Sequence, residues 1–404
     1  MSSDVVQKLR DYLDKDPVFK AEFEQALETA KSYDIPEFEE WGIVTLADYL
    51  NYYESFLKWV PSENKDGTFV LYHICMFYFV LDMLPLVLRQ SPIDPSTRSP
   101  YTWLSEWIIE YAKEMGKWMD STDSISDATI ESFYQAESYH MQDYDRIPGE
   151  WTTFNKFFAR HIKPKCRPID CPGEDKVIVS PADATFDGAW PVDGSANCQF
   201  EAKGIPWSIE QLLDDEHGTT KYGAKFAGGT FCHSFLGPND YHRQHAPVSG
   251  TVLEARVIEG LCYLEVEVVE DDPDAPKRGG RPRLGMRRKM QPRAAEPRDS
   301  LNAPDNPGYQ FIQARGLILI DNPELGLVAV LPIGMAQVSS VMLGVKPRDE
   351  VKKGDEISYF QLGGSDIVMV FQAGANVKFT AKEQTHYAFG KTLAIASSSG
   401  SGSG

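Results

Sequence analysis

Lys352–Gln372 reads KKGDEISYFQLGGSDIVMVFQ, and two short β-rich runs, EISYF and DIVMVFQ, flank the turn Leu362-Gly363-Gly364-Ser365. A glycine pair lets the backbone enter conformations closed to other residues. Ser365 Oγ can then approach the carbonyl of Gly364. Attack there moves the acyl group from nitrogen to oxygen and leaves an ester. Elimination of that ester gives dehydroalanine, which hydrolyses to a pyruvoyl group at a new N-terminus. Gly-Gly-Ser alone is an ordinary turn sequence. Its neighbours decide what it means.

Outward from this stretch, short β-rich runs alternate with Gly, Pro and Asp turns from Lys176 onward: KVIVS, TFDGAW, GTVLEARVI, YLEVEVVE, RGLILID and LGLVAVLPIG. Runs of this length between turn signals predict an antiparallel sandwich or barrel-like fold. HAPVSGTVLEARVIEG (245–260) and VKPRDEVKKGDEISYF (345–360) resemble each other loosely, short of a repeat. Residues 271–308 break the pattern with a Pro/Gly/Arg-rich stretch that predicts a disordered surface loop, a lid or a partner-binding arm. Residues 4 to about 145 read as helices, with Val5, Leu9, Leu13, Phe19 and Phe23 near helical spacing and Ser3 or Asp4 as cap. Leu46–Trp59, Phe69–Leu88, Tyr101–Met119 and Ile130–Tyr139 continue that pattern. The predicted class is α+β: a helical accessory domain over 1–147, a β-rich domain over 148–396 and a flexible serine-glycine tail over 397–404.

Composition excludes several functions. A formal charge of −19 argues against nucleic acid, whose phosphates demand a basic surface, and disfavours an anionic membrane. Six cysteines with no C-x-x-C predict reduced thiols, no metal site and a cytoplasmic protein. The N-terminus lacks the apolar core of a signal peptide. Phe69–Leu88 approaches membrane-span length, yet it carries His73, Asp82 and Pro85, and it reads as a buried core helix.

Two further segments carry chemistry. FLGPNDYHRQHAPVSG (235–250) places His242 and His245 three apart. Imidazoles suit acid–base work near neutral pH, and such a pair can also ligate a metal. VSPADATFDG (179–188) sets Asp183 just after a strand and a proline, where an aspartate commonly caps a turn. Together Asp183, a histidine and Ser365 supply an orienter, a base and a nucleophile.

The combination of SPAD, YHRxHxP and GGS before a strand resembles the phosphatidylserine decarboxylase family. WTTFNKFFARHIKPKCRPID (151–170) is similar to that family's entry segment, and 321–341 and 352–365 look like its core. The resemblance runs from about 150 to 396 and implies the fold of that catalytic domain. It implies cleavage between Gly364 and Ser365, with Ser365 as precursor of a covalent pyruvoyl cofactor. Asp183 and His245 would form the self-cleavage relay, and His242 would assist decarboxylation. The pyruvoyl carbonyl would take the substrate amine as a Schiff base, the electron sink that other enzymes find in an added cofactor. Two positions depart from the family: Ala184 stands where glycine is usual, and Asp366 follows the serine in place of Thr or Ser. Asp366 puts rate and substrate in question.

Residues 4–30 resemble the N-terminal accessory domain of soluble fungal tryptophan decarboxylases of the same family. That implies a free, plausibly aromatic L-amino acid as the substrate, with no membrane anchor. The processed chains would stay associated, and a homo-oligomer is compatible. The alternatives are decarboxylation of phosphatidylserine and an inactive β-rich binding or scaffold protein.

Overall fold

The computed structural model describes residues 3–194, 199–202, 205–214, 217, 221–269, 283–286, 309–336, 340–362 and 365–397. Gly364, most of the 271–308 insertion, Cys198 and the tail after Ser397 lie outside the described residues.

The first half is helical, and its start and stop signals are local. In Asp4–Lys15, Val5, Val6, Leu9 and Leu13 form the buried stripe, and Ser3 holds the N-cap position without capping the helix through its side chain. Asp16 caps Pro17–Lys31 by accepting from Val18 N and Phe19 N, with Pro17 at a position that needs no N–H donor. Thr45 and Asp48 form a reciprocal capping box on Leu46–Leu57. Trp103–Met119 and Asp127–Gln135 complete the longer helices.

The apolar stretch from Phe69 is shorter as a helix than its hydropathy predicts. The helix spans Phe69–Phe79, and a 3-10 turn at Leu86–Arg89 follows. No helix among the described residues is long and apolar enough to cross a membrane. The helix is buried on nearly all sides and packs on a hairpin made by Val266–Val269 and Arg283–Met286. Asp82 just beyond it is buried and accepts from Val266 N at 3.0 Å. Burial raises its pKa well above the carboxylate range. The aspartate in this apolar run is therefore a link to the β half.

That hairpin corrects the expectation of an unstructured insertion. Residues 283–286 form a strand in register with 266–269, and buried Leu284 anchors it. A short apolar segment between charged runs was too weak a signal to read from the sequence.

The second half is built on an eight-stranded antiparallel sheet. Its order is Glu350–Val351, Gly250–Ile258, Arg315–Asn322, Gly326–Gly334, Ser365–Phe371, Thr230–Leu236, Ala184–Pro191 and Thr385–Tyr387. Arg315–Asn322 and Gly326–Gly334 are buried on both faces, so their apolar runs are continuous rather than alternating. A three-stranded sheet of Val341–Leu343, Glu356–Phe360 and Arg243–His245 stands beside it, and Val177–Val179, Thr392–Ala396 and Val377–Phe379 form another. The two loosely similar segments pair with each other: Glu350 with Thr251 and Glu356 with His245. A single apolar cluster runs through the helical and β halves.

Glu63 ties the helical half together. It accepts from Asn64 N, Phe69 N and Val70 N, capping the Phe69–Phe79 helix, and from Tyr139 Oη at 2.8 Å. Glu63→Ala strips these buried donors of their acceptor. We expect a loss of about 2–6 kcal/mol in urea unfolding, at roughly 1–3 kcal/mol for each of the two fully buried donors, Val70 N and Tyr139 Oη. Glu110→Ala, on the surface, should cost under about 1 kcal/mol.

Candidate active site

Ser365 opens the strand Ser365–Phe371, pairing with Gly334 on one side and Leu236 on the other. The chain reaches it along Glu356–Phe360, whose neighbour is the histidine strand Arg243–His245. Phe360 N donates to His242 O at 2.9 Å, and Leu362 N donates to Asn155 Oδ1 at 3.2 Å. The topology thus sets the histidine pair beside the segment that leads into Gly363-Gly364.

The entry segment 151–170 packs around this point. Asn155 bridges Leu362 and Asp120, the latter at 2.9 Å. Phe158 stacks on His242 with ring centroids 3.8 Å apart. Arg160 is buried with its guanidinium 4.2 Å from the Tyr144 ring centroid, and its Nε and Nη2 have no hydrogen-bond partner. Arg167 grips Asp183 through Nε at 3.0 and 3.1 Å and through Nη2. A cavity of about 450 Å³ lies alongside, lined by Asn155, His161, Arg243, Tyr359 and Gln361 among others.

The two histidines are held differently. His245 Nδ1 lies 2.7 Å from Gly354 O, so Nδ1 carries the proton and Nε2 is the basic nitrogen, here 3.2 Å from Tyr241 Oη. Its ring stacks on Phe389 at 3.8 Å. Burial lowers its pKa, against smaller opposing effects from the Gly354 carbonyl, Glu356 and Asp183. Asp183 accepts from Arg167 and from Phe389 N at 2.8 Å, and these bonds do not include His245. The Asp183 charge therefore reaches His245 through space, without a hydrogen bond between them. His242 is fully buried, with Nε2 3.3 Å from Pro238 O and Nδ1 without a partner. Burial, aided by the Arg160 charge, pushes its pKa down to about 3. Both imidazoles are neutral at pH 7.

A second polar cluster lies behind the serine strand. His233 Nδ1 is 2.8 Å from Asp187 Oδ2, and its Nε2 is 3.3 Å from Asp366 Oδ2. The first contact is an ion pair without the angle of a hydrogen bond, since both atoms lack a hydrogen-bond partner. Gln310 Nε2 adds contacts of 3.3 Å to His233 and 3.4 Å to Asp366. Burial alone would lower the His233 pKa, but Asp366 and Asp187 outweigh it and raise it to about 10. The sequence singles out Asp366 as a departure from the family but not the partners it meets. The available signal was a histidine inside the apolar run FCHSFL and an acid in TFDG. Only the sheet order brings them together.

The sequence profile of the family described as phosphatidylserine decarboxylase matches residues 154–395. A decarboxylase of Amanita muscaria, iboD, is 30% identical over 60% of this chain and 65% of its own length. Phosphatidylserine decarboxylase proenzyme 3 of Schizosaccharomyces pombe is 29% identical over 64% of this chain and 22% of its own length. The proenzyme of Clostridium perfringens is 27% identical over 65% of this chain and 74% of its own. The chain thus spans less than two thirds of the Amanita and fission-yeast proteins.

His233 gives a pH prediction. Its folded pKa is raised, so its contribution is complete below the unfolded value of about 6.5 and is lost as pH rises through about 10. Thermal unfolding of the wild type should therefore weaken between those limits more steeply than that of Asp366→Asn. His233→Gln removes the cation between two buried carboxylates and should cost about 3–5 kcal/mol at pH 7.

Proposed function

Because the chain belongs to the phosphatidylserine decarboxylase family, we propose that it is a self-processing, pyruvoyl-dependent carboxy-lyase that converts a free L-amino acid, plausibly aromatic, to its amine and carbon dioxide. The observation that carries this is the placement of Ser365. It heads a strand bonded on both edges, and the chain reaches it along Glu356–Phe360, which pairs with the strand that carries a buried histidine pair whose imidazoles are neutral.

The surroundings fit a pyruvoyl group made from Ser365. A break before Ser365 leaves the following chain woven into the molecule at three places. Ser365–Phe371 lies inside the main sheet, Thr385–Tyr387 pairs with Ala184–Pro191, and Thr392–Ala396 pairs with Val177–Val179. The two products would stay associated. When formed, the group supplies an electron sink for the pair left as carbon dioxide departs.

The remaining work falls to side chains. His245 Nε2 is the nitrogen free of a proton, so it can take the Ser365 hydroxyl proton during cleavage. The Asp183 charge stabilises the imidazolium that results, offsetting part of the burial penalty. Arg167 and Phe389 N hold that carboxylate in place. His242 has too low a pKa to store a proton at pH 7. Its role is to orient a substrate N–H or O–H at Nδ1, or to relay a proton as it arrives.

The free amino acid is supported by the charge of −19 and by the match to a relative named simply as a decarboxylase. The runner-up is phosphatidylserine itself, favoured by relatives named for that lipid. Purified protein is offered free L-amino acids and phosphatidylserine liposomes, with carbon dioxide release as the readout. Turnover of free amino acid without lipid turnover is expected; release from lipid alone establishes the runner-up.

Histidine variants separate the two steps. His245→Ala should leave the chain uncut on gels. His242→Ala should be cut yet decarboxylate about a hundred- to ten-thousand-fold more slowly, the usual contribution of an acid–base group. Exchanged phenotypes would reverse the assignment. With a lowered His245 pKa, cleavage should hold its rate as pH falls through about 6.5 and decline only below it.

A further inference from the structure

We propose that the helical half carries a binding site for a small primary ammonium ion, in the cavity of about 350 Å³ lined by Trp41, Tyr52, Phe56, Trp59, His73 and Asp48. The five rings contact one another in a closed cycle. Centroid separations are 5.6 Å for Trp41–Tyr52, 5.5 Å for Tyr52–Phe56, 5.4 Å for Phe56–Trp59, and 4.6 Å for both Trp59–His73 and His73–Trp41. Tyr52, Phe56 and Trp59 follow helical spacing along Leu46–Leu57 and its end, while Trp41 and His73 arrive from other segments. Aromatic faces are electronegative and attract cations.

The polar groups match that preference. Asp48 is the one formally charged group among the described lining residues. Its Oδ2 accepts from Thr45 N and Thr45 Oγ1, and these bonds lower its pKa and keep it anionic. Arg10 donates to Asn51 Oδ1 at 3.0 Å but does not itself line the cavity. His73 Nδ1 sits 3.0 Å from Phe69 O, which leaves a lone pair on Nε2. Burial lowers its pKa to about 4, so the ring is neutral at pH 7. A primary ammonium can donate to that nitrogen, whereas a quaternary one cannot.

The same walls reject an amino acid. Its carboxylate would meet Asp48, the rings and the neutral Asn51 and Ser55, with no cation among the described lining residues to receive it. The site therefore selects the amine over the amino acid from which decarboxylation derives it. It is built to sense product, if the function proposed above holds, but binding itself does not depend on that function.

The test is isothermal titration at pH 7 with phenethylammonium, using wild type and Ser365→Ala. The second protein cannot form a pyruvoyl group, so binding is read independently of catalysis, and chain cleavage is followed separately by mass. Both should bind, with N-acetylphenethylamine and phenylalanine at least about tenfold weaker. Asp48→Asn and Trp41→Leu should each weaken binding about tenfold. Trp41 lies outside the capping box, so its variant decides the matter if Asp48→Asn fails to fold. No saturable binding, equal affinity for the neutral amide, or affinity unchanged in a folded Trp41→Leu variant would overturn the site.

Discussion

The strand Ser365–Phe371 is hydrogen-bonded along both edges, to Gly326–Gly334 and to Thr230–Leu236. Its first residue cannot shift without breaking a ladder on either side. In a buried sheet the stranded donors and acceptors would cost about 1–3 kcal/mol each. A backbone bond just before such a strand can be cut while the new terminus stays where it was. The chemistry proposed for Ser365 needs that constraint, because the same residue must be nucleophile first and cofactor afterwards.

The rest of the site is arranged against this fixed point. The entry segment contributes Asn155 to Leu362, Phe158 to the face of His242 and Arg167 to Asp183. Gly354, from the turn before Glu356–Phe360, selects the His245 tautomer. Most of these contacts join residues far apart in sequence, and together they hold Leu362 and the histidine pair. Behind the strand, His233 sits between Asp187 and Asp366 and keeps the acid next to Ser365 from being an uncompensated buried charge. That accounts for how an aspartate is tolerated where the family usually has a hydroxyl residue.

Much of this was legible in the sequence because the signals are local. The helices of the first half announce themselves by apolar spacing and by caps such as Asp16 and Thr45. Ser365, Asp183, His242 and His245 were readable as motifs. What they touch was not. His233 and Asp187 meet Asp366 because Thr230–Leu236 lies between two strands that are distant in sequence, an order that no local pattern encodes. Likewise, Trp41 and His73 join three residues at helical spacing, and in sequence the five read as scattered aromatic residues. Leu284 makes a strand inside an insertion whose composition predicts disorder, since one buried hairpin is invisible to averages over a long window.

The central claim is that Ser365 becomes the first residue of a separate, firmly held chain. Intact mass spectrometry of the purified protein, run beside Ser365→Ala, tests it most directly. The wild type should resolve into residues 1–364 and 365–404, the shorter chain blocked at its N-terminus by a pyruvoyl group and released only on denaturation. Ser365→Ala should remain a single chain. A wild-type preparation that is fully active as one unbroken chain would contradict the account.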